Sequence, residues 1–220
     1  MRRFQVAIIT SSFPPKGGGI AAAHFQMHRL LQQAHDVHVF AYDDDGTREE
    51  EHVTRRSTPQ PLRKMFEWAA TRYVRRYSRQ AAGQACARIA RVAWGVNWLN
   101  SPLRRYRPDF VIVPDNNVPL YWLIPPSTAK TIWVSHHNYL RFRDNALLGP
   151  FDWADLDIAR SMERRALRKA DAAICPCEYM VGEFHRAYSV EIPIFRIPNW
   201  VDPGHLNEVR ASGFRQERGW

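Results

Sequence analysis

The sequence predicts a doubly wound α/β fold, a mostly parallel sheet with helices on both faces, from three observations. Short runs rich in Val and Ile recur without the alternation of a half-exposed strand, as strands buried on both faces require. Amphipathic stretches of helical period separate them. Polar or glycine-rich residues follow most of the runs, at the carboxyl ends of strands, where open parallel sheets bind ligands.

The first run, Val6 to Thr10, leads through Ser11-Ser12-Phe13-Pro14-Pro15-Lys16 into Gly17, Gly18 and Gly19, and then into a helix over Ile20 to Gln33. Glycines there let bare backbone N–H groups approach an anion, and the helix N-terminus adds partial positive charge. No Gly-Lys-Ser/Thr follows, so the loop is not a P-loop, and its spacing misses G-x-G-x-x-G, which argues against a nicotinamide cofactor. A tight turn with no ligand is the plain alternative. His24 and His28, four apart on this helix, lack the glutamate of a metalloprotease helix and read as surface histidines.

Val37 to Ala41 is the second strand, and Asp43-Asp44-Asp45 with Glu49-Glu50-Glu51 reads as a solvated loop after it. A helical segment from Leu62 to Leu99 carries an apolar stripe of Phe66, Ala70, Tyr73, Tyr77, Ala81, Ala85, Ile89, Val92, Val96 and Leu99. Gly83 or Gly95 is expected to break it. Within residues 60–107 eleven basic residues face one acid, Glu67, while the whole chain carries a net charge of only +9. The positive charge is therefore local, and so is the anionic partner it implies. Helix-turn-helix, zinc-finger and aromatic-sheet signatures are missing, which argues against nucleic acid. Arginines interleaved with Trp68, Tyr73, Tyr77, Trp94 and Trp98 suit an anionic membrane surface or a lipid-linked acceptor; a merely solvated basic face is the alternative.

Phe110 to Val113, Thr131 to Ser135, Ala172 to Cys175 and Phe195 to Ile197 complete the strands. Helices are expected over Val118 to Ile124, Trp153 to Ala170 and Glu178 to Tyr188. The strand ends carry Asp115-Asn116-Asn117, His136-His137-Asn138 and Asn199. A histidine in such a place can hydrogen-bond a sugar hydroxyl or work as an acid or base near neutral pH. Metal binding is not expected, because no third ligand is evident. Cys175 and Cys177 have neither redox nor zinc spacing and read as buried-strand cysteines. Three cysteines, no signal-peptide pattern and no long apolar run lead us to expect a cytoplasmic protein with no disulfide framework.

Five segments in register resemble the N-terminal domain of family 4-like glycosyltransferases with the GT-B fold. They are Ile8 to Gly18, Arg107 to Val113, Ile132 to His136, Glu163 to Ala172 and Ile197 to Asp202. The resemblance implies one Rossmann-like half of a GT-B fold, the acceptor-side domain of a retaining, hexosyl-transferring enzyme. Such an enzyme uses a nucleotide-sugar as co-substrate, with a glycan or lipid-linked acceptor and no obligatory metal or cofactor. It also implies that Gly17, Gly18, Gly19 and Asn199 approach the donor and that His136 acts beside the transferred sugar. Lys16, Asp115, Asn116, His137 and Asn138 are the candidate substrate-binding residues. Trp200 stands where the family usually has glycine, and Cys177 where serine is common. Residues 1–202 are read as this domain. Residues 203–220 are read as the start of an interdomain linker, with the C-terminal donor domain absent and supplied by a partner subunit or a longer chain. On this reading the chain alone is inactive, and it sits in the cytoplasm, peripheral at the inner face of a membrane through residues 60–107. The rival reading is a non-catalytic module that binds a sugar phosphate or anionic lipid in the same cleft.

Overall fold

All six apolar runs form strands. The computed structural model describes residues 2–13, 19–43, 48–79, 81–143 and 152–199. In chain order the elements begin with β1 (Gln5–Thr10), α1 (Gly19–Leu31), β2 (Asp36–Ala41), β3 (Arg48–Glu50) and β4 (Val53–Arg55). The basic segment forms α2 (Gln60–Val74), α3 (Gln84–Arg91) and α4 (Ala93–Tyr106). Then come β5 (Phe110–Pro114), α5 (Pro119–Trp122), β6 (Lys130–Val134) and α6 (Tyr139–Arg143). The described part closes with α7 (Trp153–Leu167), β7 (Ala172–Cys175), α8 (Glu178–Ala187) and β8 (Ile194–Arg196).

The eight strands lie in the order β3-β4-β2-β1-β5-β6-β7-β8. Every neighbouring pair is parallel except β3 and β4. The chain builds outward from β1 in one direction through β2 and β4, then returns to β5 and builds the other way. That reversal, between β1 and β5, is where a doubly wound sheet opens a crevice. Because crossovers are right-handed, it also sends the helices to opposite faces. Val6, Ile8, Val37, Val39, Ile112 and Val134 pack on one face with Phe25, Met27 and Leu31 of α1. Ala7, Ile9, Phe40, Val111, Val113, Trp133 and Ala173 form the other, covered by residues of α2 to α8. One edge of the sheet is the three-residue β3; the other is β8, set between Pro193 and Pro198.

The loop expected after β2 needs correction. Arg48–Glu50 and Val53–Arg55 form an antiparallel hairpin, and Asp43 is not solvated. Its carboxylate, only 9% exposed, is held by Arg63 at 2.7 Å and Arg91 at 2.8 Å. Two arginines of the basic segment are thus spent on tying α2 and α3 to the end of β2.

The long helix breaks twice. The first break opens after Val74, and Gly83 closes it at the start of α3: its φ of +65° is a left-handed conformation, and a Cβ there would sit 2.8 Å from Thr71 Cα across the α2–α3 hairpin. The second falls at Val92, with no glycine involved. Gly95 instead lies inside α4 with its Cα pressed on the Tyr42 carbonyl oxygen, where a Cβ would collide with backbone. Gly95→Ala is expected to cost about 1–3 kcal/mol through this overpacking, despite alanine's better helix propensity, as read by urea denaturation. The apolar stripe is buried from Ala81 to Leu99, but Tyr73 and Tyr77 are exposed, so on α2 the expected face is only partly covered.

Candidate functional site

The strand ends beside the β1–β5 reversal bring Asp115, His136, His137 and Asn138 together. β5 ends at Pro114, and the next four residues turn sharply: Asn117 and Val118 both have positive φ, 58° and 47°. For a β-branched residue such as Val118 this conformation is strained. The turn is pinned by the Val118 N–H donating to the Asp115 carbonyl at 3.0 Å. It is pinned again by the fully buried Tyr42 hydroxyl, which donates to the Asn116 carbonyl at 3.0 Å.

Asp115 is completely buried. Its Oδ2 accepts the Ser135 hydroxyl at 3.2 Å and the His137 backbone N–H at 2.7 Å, while Oδ1 lies 3.7 Å from His137 Nδ1. Burial pushes its carboxyl above the usual carboxylate range, opposed by His137 and His136. The carboxylate therefore fixes the backbone that carries both histidines. Asn138 Oδ1 accepts the Arg141 N–H at 3.1 Å and caps α6, which leaves Asn138 Nδ2 buried without a hydrogen-bond partner.

His136 is half-buried, its carbonyl accepting Arg141 Nη1 at 3.3 Å. Its Nε2 has no hydrogen-bond partner. Burial lowers its pKa below the histidine norm; Asp115 pulls the other way and His137 adds to the lowering. The ring is thus a neutral imidazole at pH 7, able to donate or accept one hydrogen bond. It shares a small crevice with Met27, Ile174, Pro176, Pro198 and Asn199, which brings the exposed Asn199 to the same place. Gly19 opens α1 with free space where a side chain would be. Lys16, Gly17 and Gly18 lie outside the described residues.

Sequence reasoning missed one buried group and misread three others. His24 and His28 are buried, not on the surface. With Ala21 they make a 21/24/28 stripe on α1, a spacing legible in the sequence but masked by the polarity of histidine. His24 packs edge-on against His136 with ring centroids 6.2 Å apart, and neither of its nitrogens has a hydrogen-bond partner. Burial foremost, then His136, lowers its pKa to about 3. Glu163 of α7 is also completely buried, and its two oxygens share the Tyr139 N–H at 3.2 and 3.3 Å. Burial, then the charge of Asp115, holds Glu163 well above the carboxylate range. Cys175 is buried in β7 as expected, but Cys177 is exposed. Among the described residues no three His, Cys, Asp or Glu groups converge as a metal site.

The aromatic residues of the basic segment are exposed: Trp68, Tyr73 and Tyr77 on or just past α2, Trp94 and Trp98 on α4. Arg72 lies over the Trp68 ring at 5.5 Å, and Arg56 over Trp98 at 5.8 Å. Among the described residues no helix is long and apolar enough to cross a membrane.

A doubly wound, mostly parallel sheet with helices on both faces defines a Rossmann-like α/β domain. The chain belongs to Glycosyltransferase Family 4, whose model matches residues 17–205. No curated protein gives a significant match. Among solved structures it is similar to that of Glycyrrhiza uralensis UGT73P12 complexed with glycyrrhetinic acid 3-O-monoglucuronide. The identity is 10% and the TM-score 0.37, over 93% of this chain and 50% of that one. The chain thus spans about half the length of the solved structure it matches.

Proposed function

We propose that this chain is the acceptor-side domain of a retaining glycosyltransferase that moves a hexosyl group from a nucleotide-sugar to a glycan or lipid-linked acceptor. The observation that carries this reading is His136, a neutral imidazole that lines a crevice, has a buried Nε2 without a hydrogen-bond partner, and sits on a segment braced by Asp115. Its one hydrogen bond is available to a hydroxyl of the sugar being transferred. The start of α1 is the natural seat for the departing nucleotide's phosphate, where helix N–H groups stabilise negative charge. On this reading Asn199, which lines the same crevice, contacts the donor, and Asn116 and His137 are substrate-binding residues.

The basic, aromatic surface of α2 and α4 suits a second role, holding the domain against the anionic cytoplasmic face of a membrane. Exposed tryptophan and tyrosine among arginines is the composition of an interfacial contact.

The test is an assay of the chain with a donor-binding domain of the family supplied, against a panel of nucleotide-sugars. The configuration at the transferred anomeric carbon is read by NMR. Transfer with retention supports the proposal, and inversion removes its mechanism. Binding of a sugar phosphate without any turnover, in the presence of that domain, would leave the non-catalytic module as the function.

A further inference from the structure

Two cavities on the helical face meet at Ser161 and Arg165. The first, about 390 Å³, is an apolar groove between α2, α3, α5 and α7, walled by Phe66, Ala70, Tyr73, Ala90, Trp122 and Met162. The second, about 460 Å³, is a basin in which Arg164, Arg165 and Arg168 gather with Ser161 and Ser189. The chain passes from Leu167 to the start of β7 within five residues, so Arg168 lies by the amino ends of the strands. This composite site is therefore at the opposite end of the sheet from His136, and the cleft chemistry does not use it.

The neighbouring cations are committed elsewhere. Lys169 Nζ donates to the carbonyls of Leu120, Tyr121 and Leu123 at 2.8 to 3.0 Å, closing the end of α5. Arg160 pairs with Asp157, and Arg186 with Glu183. Arg164, Arg165 and Arg168 have no hydrogen-bond or ion-pair partner among the described residues. A cluster of three such guanidiniums at the mouth of an apolar groove is complementary to an amphiphile with an anionic head.

We propose that this groove and basin hold one anionic membrane phospholipid, its acyl chain between α2 and α7 and its phosphate among Arg164, Arg165 and Arg168. A lipid is favoured over an acidic amphipathic peptide by what surrounds the groove. Exposed Tyr73 stands in the α2 wall of the groove with exposed Tyr77 5.5 Å from its ring, and the rest of α2 carries exposed Trp68 among Lys64 and Arg72. That arrangement suits a headgroup region rather than a folded partner. The inference rests on the membrane-facing role proposed above, and adds to it a defined, single-molecule site.

The test uses the whole chain with vesicles of phosphatidylcholine, alone or mixed with phosphatidylglycerol, read by sedimentation. A second readout is fluorescence quenching by phosphatidylglycerol brominated on its acyl chain. Trp122 in the groove wall should be quenched, and the quenched component should vanish in Trp122→Phe. Binding to the anionic vesicles should weaken about tenfold or more in the double variant Arg164→Glu/Arg168→Glu. Ala69→Phe, which fills the groove from its exposed rim, should abolish the Trp122 quenching. If that variant does not fold by circular dichroism, the Trp122 signal and the arginine pair still decide. Salt-sensitive vesicle binding with Trp122 unquenched would overturn the groove site and leave the basic-surface role standing. No vesicle binding at all would remove both. Capture of an acidic amphipathic peptide in place of vesicles would replace the lipid with a protein partner.

Discussion

Replacing His136 with alanine is expected to lower sugar transfer by about 10²-fold or more, on the order of 3 kcal/mol, with the fold retained. The loss arises because a neutral imidazole in a half-buried crevice offers a hydrogen bond with little competition from water, and alanine leaves the sugar hydroxyl without it. His136 lies half-buried, so the truncation opens little core, and thermal denaturation should move only slightly. The pH profile carries the second half of the prediction. Because the folded pKa lies below the histidine norm of 6.5, activity should hold level as pH falls to that value and decline only below it. A decline centred above pH 6.5 would mean that another group controls the rate. Transfer by His136→Ala at the unmodified rate would remove His136 from the site.

The second large effect is on stability in acid. His24 is completely buried, and its pKa falls from 6.5 to about 3 in the folded chain. Between those values the unfolded chain takes up a proton that the folded chain refuses. Stability from this group is therefore full above pH 6.5 and is lost as pH falls toward 3, by up to about 1.4 kcal/mol per pH unit. Buried Glu163 and Asp115, whose pKa values are raised, act with the opposite sign and complicate the absolute curve. The difference between the unmodified chain and His24→Leu isolates the histidine. Urea denaturation from pH 6.5 down to about pH 4.5 should show the variant gaining roughly 2–3 kcal/mol relative to the parent. Parallel curves would show that His24 is protonated without unfolding, through a partner or water within reach of its ring.

The sheet was legible because burial on both faces leaves a plain mark, the uninterrupted apolar runs Val6 to Ile9 of β1 and Phe110 to Val113 of β5, with shorter apolar stretches in β2, β6 and β7. β3 was not, since Arg48-Glu49-Glu50 has no apolar pattern and its existence depends on pairing with β4. α6 was missed because five residues are too few for helical periodicity, and its start depends on the Asn138 cap. Within the site, Asp115, His136 and His137 could be read from their positions after strands, where the fold itself concentrates ligand chemistry. His24 and Glu163 could not. Each is polar by composition and buried by context: the spacing of His24 with Ala21 and His28 fits an apolar stripe, but burial of a polar residue is decided by tertiary packing.

The borders of the sheet bear on how the protein behaves at high concentration. One is a three-residue Arg-Glu-Glu strand turned antiparallel, and the other a three-residue strand hemmed by prolines. Neither presents a long ladder of unpaired amides for another molecule to extend. Among the described residues each margin offers a second copy only a three-residue template for adding a strand, which disfavours fibril-like growth from the sheet. Association between copies of this chain is left to its side chains.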